Sequence, residues 1–327
     1  MKLSGIALVT GGAGFIGSHI AAALATRGAR VRIIDDLSTG HRENVEEIGG
    51  DVDFIQASLN DHDILRRALE DVELVFHEAA IPSVPRSVSD PLETHVACVD
   101  ATLSLLLAAR ERGVRRIMYA ASSSAYGDQP ELPKREDMRP DPMSPYAVAK
   151  LVGEYYCQTF TRVYGLETLS LRYFNVFGPR QDPSSPYSGV ISRFINDLLI
   201  GERPIIYGDG DQSRDFTYVT DVVAANLKAA ETDRGIGEVM NVANGERITL
   251  NQLLEELKTL TGNSTVEANY QQPRAGDVLH SQADISRARK FLDFEPRMKL
   301  REGLQLTIDW WKRSRFAPES LRESSGR

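Results

Sequence analysis

Ile6-Ala-Leu-Val-Thr10, Gly11-Gly-Ala-Gly-Phe15-Ile16-Gly17 and Ser18-His-Ile-Ala-Ala-Ala-Leu24 follow one another without a break, and their order decides the fold. The first run is short and apolar, as a buried parallel strand is, and the last carries helical spacing. Strand, glycine loop and helix in that order form the context a dinucleotide fingerprint requires; glycines without it say little. Gly11 permits the tight turn. Gly14 lets backbone amides approach a pyrophosphate at the positive helix end, and Gly17 lets helix and strand pack closely. Val31-Arg-Ile-Ile-Asp35 reads as the second strand. It ends in a carboxylate about 20 residues after the loop, where one accepts ribose hydroxyls. Asp35 also repels a 2′-phosphate, and Asp36-Leu-Ser38-Thr39-Gly40 offers no cation before His41 and Arg42. The pattern therefore predicts NAD rather than NADP.

Strands and helices keep alternating through the first half. Asp53–Gln56, Leu74–His77 and Arg116–Ala120 read as strands, with helices near Ile64–Leu69 and over Ala97–Arg112. This alternation predicts an α/β fold with a Rossmann-like, doubly wound parallel sheet, whose ligands lie beyond the carboxyl ends of the strands. Glu78-Ala79-Ala80-Ile81, Ser122 and Tyr173-Phe174-Asn175 all follow strands and should line one crevice. The second half is more broken: Pro179–Gly189 reads as loop, Val190–Ile200 as helix, Ile205–Tyr207 as strand, and Asn251–Leu260 and Leu300–Arg313 as helices. The expected organisation is a dinucleotide-binding domain over 1–175, with 217–243 returning to it. A smaller mixed α/β substrate domain covers 176–216 and 244–315, and 316–327 is a polar tail.

Composition narrows the partners. The chain has 327 residues, 42% hydrophobic and 26% charged, ordinary for a globular protein. A net charge of −8 argues against nucleic acid or an anionic membrane as the main partner. Two cysteines, Cys98 and Cys157, make no disulfide framework and fit a reducing cytoplasm. No apolar stretch is expected to reach membrane-spanning length, and the N-terminus leads directly into a strand without a signal peptide. The six histidines show no metal-ligand spacing, and none is expected to hold a metal. His77 reads as structural, Trp310-Trp311 as packing, and Asp61 and Asp63 around His62 as a solvated helix start.

Chemistry is carried by Ser144-Pro-Tyr146-Ala-Val-Ala-Lys150, placed after Ala121-Ser122-Ser123-Ser124-Ala-Tyr-Gly127. On a helix the tyrosine and lysine, four apart, share one face and can point into one cleft. A phenol has a reference pKa of about 10 and is a poor base at neutral pH. A nearby ammonium is expected to lower that value, giving an acceptor for a hydroxyl proton.

The chain resembles the extended short-chain dehydrogenase/reductases, and within them the nucleotide-sugar 4-epimerases. The resemblance covers roughly residues 5 to 313. It rests on Thr10–Gly17, the serine run before Tyr126-Gly127, Tyr146-x-x-x-Lys150 and Leu171-Arg-Tyr-Phe-Asn-Val-Phe-Gly-Pro179. It continues through Ser213-Arg-Asp-Phe-Thr-Tyr-Val-x-Asp221 and Arg274-Ala-Gly-Asp277. Arg180-Gln-Asp-Pro183 and Asp277–Asp284 look most like epimerases acting on UDP-N-acetylglucosamine and its uronic acid.

By that resemblance Tyr146 takes the proton of a sugar 4-hydroxyl, Ser122 hydrogen-bonds the same oxygen, and Lys150 holds the nicotinamide ribose and lowers the tyrosine pKa. The 4-keto sugar turns about its link to UDP and is reduced on its other face, so NAD is a resident cofactor. Gly11, Gly14, Phe15, Ile16, Gly17, Asp35, Asp36, Ser38, Thr39, Gly40, Ser58, Leu59, Ala79, Ala80, Ile81, Tyr173 and Phe174, with Tyr146 and Lys150, would bind it. Arg214 and Arg274 would clamp the diphosphate, since guanidinium meets phosphate oxygens as a fixed fork. Asp277 would hold the uridine ribose, with Asn175 near sugar and diphosphate. Ser83, Ser123, Val190, Tyr207 and Ser281 would complete the substrate site. Small Ser281, where tyrosine accompanies restriction to non-acetylated sugars, implies room for an N-acetyl group. UDP-glucose and UDP-galactose would then be slower substrates, and a homodimer is implied.

The chain departs from the family pattern at Ser58, usually aspartate, at Ala97-Cys98, where asparagine is usual, and at Pro82, lysine in some UDP-galactose epimerases. Ser123 and Ser124 replace the Asp-Glu pair of the 4,6-dehydratases. A uronate epimerase or a uronate decarboxylase stays open as an alternative. So does, in a different class, a catalytically silent dinucleotide sensor or scaffold.

Overall fold

The computed structural model describes residues 5–182, 189–273 and 278–314. Seven strands form the central sheet: β1 (Ile6–Thr10), β2 (Val31–Asp35), β3 (Val52–Gln56), β4 (Val72–His77), β5 (Arg116–Ser122), β6 (Glu167–Tyr173) and β7 (Val239–Val242). Their order is β7-β6-β5-β4-β1-β2-β3, and all pairings are parallel. The order reverses between β1 and β4, which opens a ligand crevice at their carboxyl ends.

Both sheet faces are covered, as the unbroken apolar runs require. Ala7 and Val9 point into one cluster with Ile20, Ala21 and Leu24 of α1 (Phe15–Thr26). Ile6 and Leu8, of the opposite parity, enter another with Leu105, Leu106 and Ala109 of α2 (Ala101–Glu111) and with Cys157 and Phe160 of α3 (Pro145–Tyr164). A third cluster lies off the sheet, built by α4 (Val190–Leu199), α6 (Leu250–Thr261) and α7 (Leu300–Arg313), with Trp311 fully buried in it. Between α4 and α6 in sequence, α5 (Val219–Glu231) returns to the first cluster through Val222 and Leu227, and β7 joins the sheet beside β6.

Three short strand pairs lie outside the central sheet. Val176–Phe177 pairs with Thr217–Tyr218, Ile205–Tyr207 with Asn269–Gln271, and Ser213–Arg214 runs antiparallel to Ile248–Thr249.

The helix expected over Ala97–Arg112 starts earlier and is not uniform. A turn over Pro91–His95 leads into a π-helical turn, Val96–Asp100, and then into α2. The run Pro91–Glu111 spans 21 residues at a mean hydropathy of 1.4 and is long and apolar enough to cross a membrane by length and composition. This corrects the expectation that no stretch reaches that length. Half of it is buried within the fold, as in a core helix laid against a sheet. Val84–Ser89, a further short helix, was not expected; Ser83 caps it. Asp61 caps the helix His62–Ala68 by accepting from Ile64 N.

Candidate active site

The glycine loop is shaped by close backbone approaches. Gly11 has φ +65°, and a Cβ on it would stand 2.7 Å from Ala79 N and Cα. A Cβ on Gly17 would stand 2.3 Å from Gly11 O, inside van der Waals contact. Helix α1 then starts at Phe15 with no side-chain cap on Gly14 and no acidic residue in its first turn, so its amides and dipole suit an anion.

Asp35 lies at the end of β2, with its carboxyl held by the loops it joins. Ala13 N donates to Oδ2 at 3.0 Å and Leu37 N to Oδ1 at 2.8 Å. Burial pushes this carboxyl upward, and the two amides oppose the push. Gly40 passes so close that a Cβ there would be 2.9 Å from Asp35 Oδ1, and Asp36 accepts from Ser38 N. The next cations are engaged elsewhere. His41 pairs with Asp182 at 2.9 Å, and Arg42 stacks over Phe54 and donates to Gln56 at 2.6 Å. Leu59 is buried, while Ser58 accepts from Asn60 N.

Ser122 closes β5, and α3 begins directly across from it. Ser144 caps that helix through Ala147 N, and Pro145 occupies its first turn, which sets Tyr146 at the crevice. Tyr146 hydrogen-bonds Ser122. Ser122 Oγ also accepts from Ser124 Oγ at 2.8 Å and from Ser124 N at 3.2 Å, so Ser123 sits in a tight 3-10 turn above it. One turn on, Lys150 Nζ donates to Ala120 O at 2.8 Å and lies 5.2 Å from the Tyr119 ring. Gly153 makes this packing possible, since a Cβ there would meet Tyr119 Oη at 2.1 Å.

The electrostatics differ from expectation. Burial pushes the Tyr146 phenol well above its ordinary value; Cys98 and Glu78 add to the rise and the Ser122 hydrogen bond offsets part of it. Lys150, expected to lower the phenol, is itself pushed down by burial, and the carboxyls of Glu78 and Glu154 oppose that push. The ammonium serves the Ala120 carbonyl and these acidic neighbours, not the phenol.

The sequence reading placed Glu78 in the crevice and Cys98 among the departures from the family pattern, without giving either a role. Glu78, following β4, accepts from Tyr173 Oη at 2.8 Å, and burial pushes its carboxyl up to about 7. Cys98 is buried on the π-helical turn, and its carbonyl accepts from Thr102 Oγ1. Only burial reveals their part in the site. The serine run, in contrast, carried a local signal for Ser124. His77 is held between Thr10 Oγ1 and Thr102 Oγ1, pushed down to about 3 by burial and thus neutral. Thr10 Oγ1 also accepts from Ala79 N, fixing the Ala79-Ala80-Ile81 segment at the loop.

On the facing wall, Asn175 has φ 35° and its Nδ2 donates to Asp215 O at 2.9 Å. Phe174 is fully buried against Tyr126, and its carbonyl accepts from Thr217. Arg214 is held by Ser213 O and Leu279 O through Nη1. Ser281 N donates to Ser213 O at 3.0 Å, which brings Ser281 beside Arg214. Val190 opens α4, and Tyr207 closes the strand Ile205–Tyr207, where its carbonyl accepts from Gln212. Buried Asp215 gathers this wall, accepting from Asn244 N, Gly245 N and Ala283 N at 3.0–3.1 Å. Arg274 and Asp277 lie outside the described residues. Among the described residues no cluster could hold a metal ion.

Residues 7–243 match the model of the NAD dependent epimerase/dehydratase family. The chain belongs to that family. The putative UDP-glucose 4-epimerase of Methanocaldococcus jannaschii is 39% identical over 307 residues, 93% of this chain and 98% of the relative. The UDP-N-acetylglucosamine 4-epimerase of Methanobrevibacter ruminantium, solved with UDP-N-acetylmuramic acid, is 42% identical with a TM-score of 0.90, covering 95% of this chain and 99% of that one. The UDP-glucose 4-epimerase of Thermotoga maritima, solved with UDP-glucose, is 40% identical with a TM-score of 0.90, over 94% and 99%. This family member is thus an isomerase of the nucleotide-sugar 4-epimerase group, and NAD is its cofactor. The residues present fit NAD: Gly11 and Gly17 leave no room for a side chain, the helix end is free of acid, and the Asp35 carboxyl closes the next strand beside the loop.

Proposed function

We propose that the protein inverts C4 of UDP-N-acetylglucosamine and UDP-N-acetylgalactosamine, with UDP-glucose and UDP-galactose as slower substrates. Ser281 carries this reading. It is 9% exposed, with a small side chain beside the Arg214 strand, where a larger one would fill the space an acetamide needs.

NAD, when bound, supplies the hydride acceptor and donor for C4. The chain's own residues do the rest. Tyr146 Oη would take the proton of the 4-hydroxyl once ionised; burial alone favours its protonated form, and the positive ring of bound NAD would favour the ionised one. Ser122 hydrogen-bonds the same oxygen, with its own hydroxyl oriented by Ser124. Lys150, anchored on Ala120 O, holds the ribose side of the site. Arg214, with Arg274 and Asp277, grips UDP while the sugar turns. Asn175, Ser83, Ser123, Val190 and Tyr207 border the sugar and uridine. Asp36, Ser38, Thr39, Ser58, Leu59, Tyr173 and Phe174 join the glycine loop on the cofactor side.

Exposed apolar side chains support a homodimer. Val88 and Leu92 (65% and 70% exposed) and Tyr155 of α3 lie on segments that pack together. The buried free thiols of Cys98 and Cys157 suit a reducing cytoplasm. The test of substrate is a panel of UDP-hexoses, UDP-N-acetylhexosamines and UDP-uronates separated by chromatography, run with Ser281→Tyr. Overpacking of about 1–3 kcal/mol should collapse turnover of the acetylated pair and spare UDP-galactose. Equal loss for both pairs, or a wild type that acts on uronates alone or decarboxylates them, would refute the reading.

A further inference from the structure

The segment after β4 touches the cofactor cradle and the catalytic set at once. Its Ala79 backbone fills the space that Gly11 leaves open. The preceding side chain, Glu78, is turned toward β6: Tyr173 Oη donates to its Oε1 at 2.8 Å, and Asn226 Nδ2 donates to that same Oη at 2.7 Å. Asn226 is fully buried on α5, so the chain Asn226–Tyr173–Glu78 is anchored in the core and holds the carboxyl in place. Tyr146 and Lys150 of α3 both lie in the electrostatic field of Glu78.

The carbon that gives its hydroxyl proton to Tyr146 must also give up hydride. The accepting ring therefore stands at contact distance from that carbon and shares the pocket with Tyr146, Lys150 and Glu78. That ring is cationic when oxidised and neutral when reduced. A carboxylate close by stabilises the cation and does nothing comparable for the neutral ring.

We propose that Glu78 sets the oxidation state of the resident cofactor, its carboxylate favouring bound NAD over bound NADH. An epimerase needs this bias, because a keto sugar that escapes leaves the cofactor reduced and the enzyme arrested. The inference rests on NAD as the cofactor and not on which sugar is turned over.

Charge on Glu78 grows as pH rises through about 7 and fades as pH falls through it, since burial raises this carboxyl. The groups facing it do not mimic this. His77 on its own strand stays neutral, Tyr146 and Tyr173 are pushed upward and stay protonated, and Lys150, whose proton Glu78 helps to hold, can only narrow the gap between wild type and variant if it loses that proton.

The test uses the holoenzyme without sugar, equilibrated through a dye mediator with buffers of known potential. Bound NADH is read by absorbance and referred to the free NAD couple in the same buffer. At about pH 8.5, Glu78→Gln should hold an NADH:NAD ratio about tenfold above wild type, and the gap should close at about pH 5.5. Tyr173→Phe removes the donor that favours the charged carboxyl, so the pH at which the bias fades should move upward. Equal ratios for wild type and Glu78→Gln at the higher pH, or a gap unchanged between the two, would overturn the proposal. Should the variant fail to retain cofactor, the wild-type series decides: a ratio to the free couple that does not rise as pH falls overturns it too.

Discussion

Asp35 and Asp215 are both buried carboxylates, one on each wall of the crevice, and burial raises both. On the cofactor wall, Asp35 binds Ala13 N, 22 residues away, and Leu37 N, 2 residues away, while Ala13 O takes Asn44 Nδ2 from 31 residues away. On the substrate wall, Asp215 takes amides from Asn244, Gly245 and Ala283, up to 68 residues distant. The first wall is assembled almost locally, from one βαβ unit. The second exists only after distant loops have met, and Asp215 is one of the groups whose hydrogen bonds hold them together. A motif can mark the first kind of wall. The second was marked by the run Ser213–Asp221, which holds Asp215, but its partners Asn244, Gly245 and Ala283 lie scattered outside that run.

The largest effect should come from the residue between the walls. Tyr146→Phe keeps the packed ring and loses the proton acceptor, so kcat should fall about 10²–10⁴-fold. NAD content and UDP affinity, measured by absorbance and calorimetry, should stay as in wild type. A variant retaining more than about a tenth of the activity would remove Tyr146 from its role.

The walls themselves should come apart on substitution. Asp215→Ala strands three buried amides at about 1–3 kcal/mol each before the loops relax, so Tm should drop and KM for the UDP-sugar rise while NAD stays bound. Gly17→Ala forces a methyl to 2.3 Å from Gly11 O and should release NAD on gel filtration, with UDP affinity kept. Overpacking of this kind costs about 1–3 kcal/mol. If each variant damaged both ligands equally, the walls would be one cooperative unit and the contrast would fail.

The smallest effect tests the cofactor wall alone. His41 and Arg42 are taken up by Asp182, Phe54 and Gln56, which leaves Asp35 to face a 2′-phosphate. NADP should therefore bind more weakly than NAD by about 1–3 kcal/mol in a calorimetric titration. Equal affinities would show that Asp35 does not read the ribose.

Much of the site was legible where neighbours in sequence are neighbours in space. The run Ile6–Leu24 implies strand, loop and helix because Gly17 answers a backbone approach within its own unit, while the approach at Gly11 comes from Ala79, 68 residues on. Ser144-Pro145 before Tyr146 announces a helix start that points the tyrosine and lysine the same way. Alternation of strands and helices implied the parallel sheet, and the run Leu300–Arg313 was read with its observed bounds.

Tertiary structure alone decided the quantities that depend on burial. Tyr146 was expected to be acidified by Lys150, yet in the fold Lys150 turns to Ala120 O and burial raises the phenol. Spacing reports which face a side chain occupies but not how much water remains around it, and desolvation outweighs one shared charge. Glu78 looked like one more residue after a strand until Tyr173 and Asn226 closed around its carboxyl. The start of the helical run Pro91–Glu111 had a local signal, Asp90 capping through Glu93 N with Pro91 in the first turn, whereas nothing local marks the π-helical turn Val96–Asp100 within it.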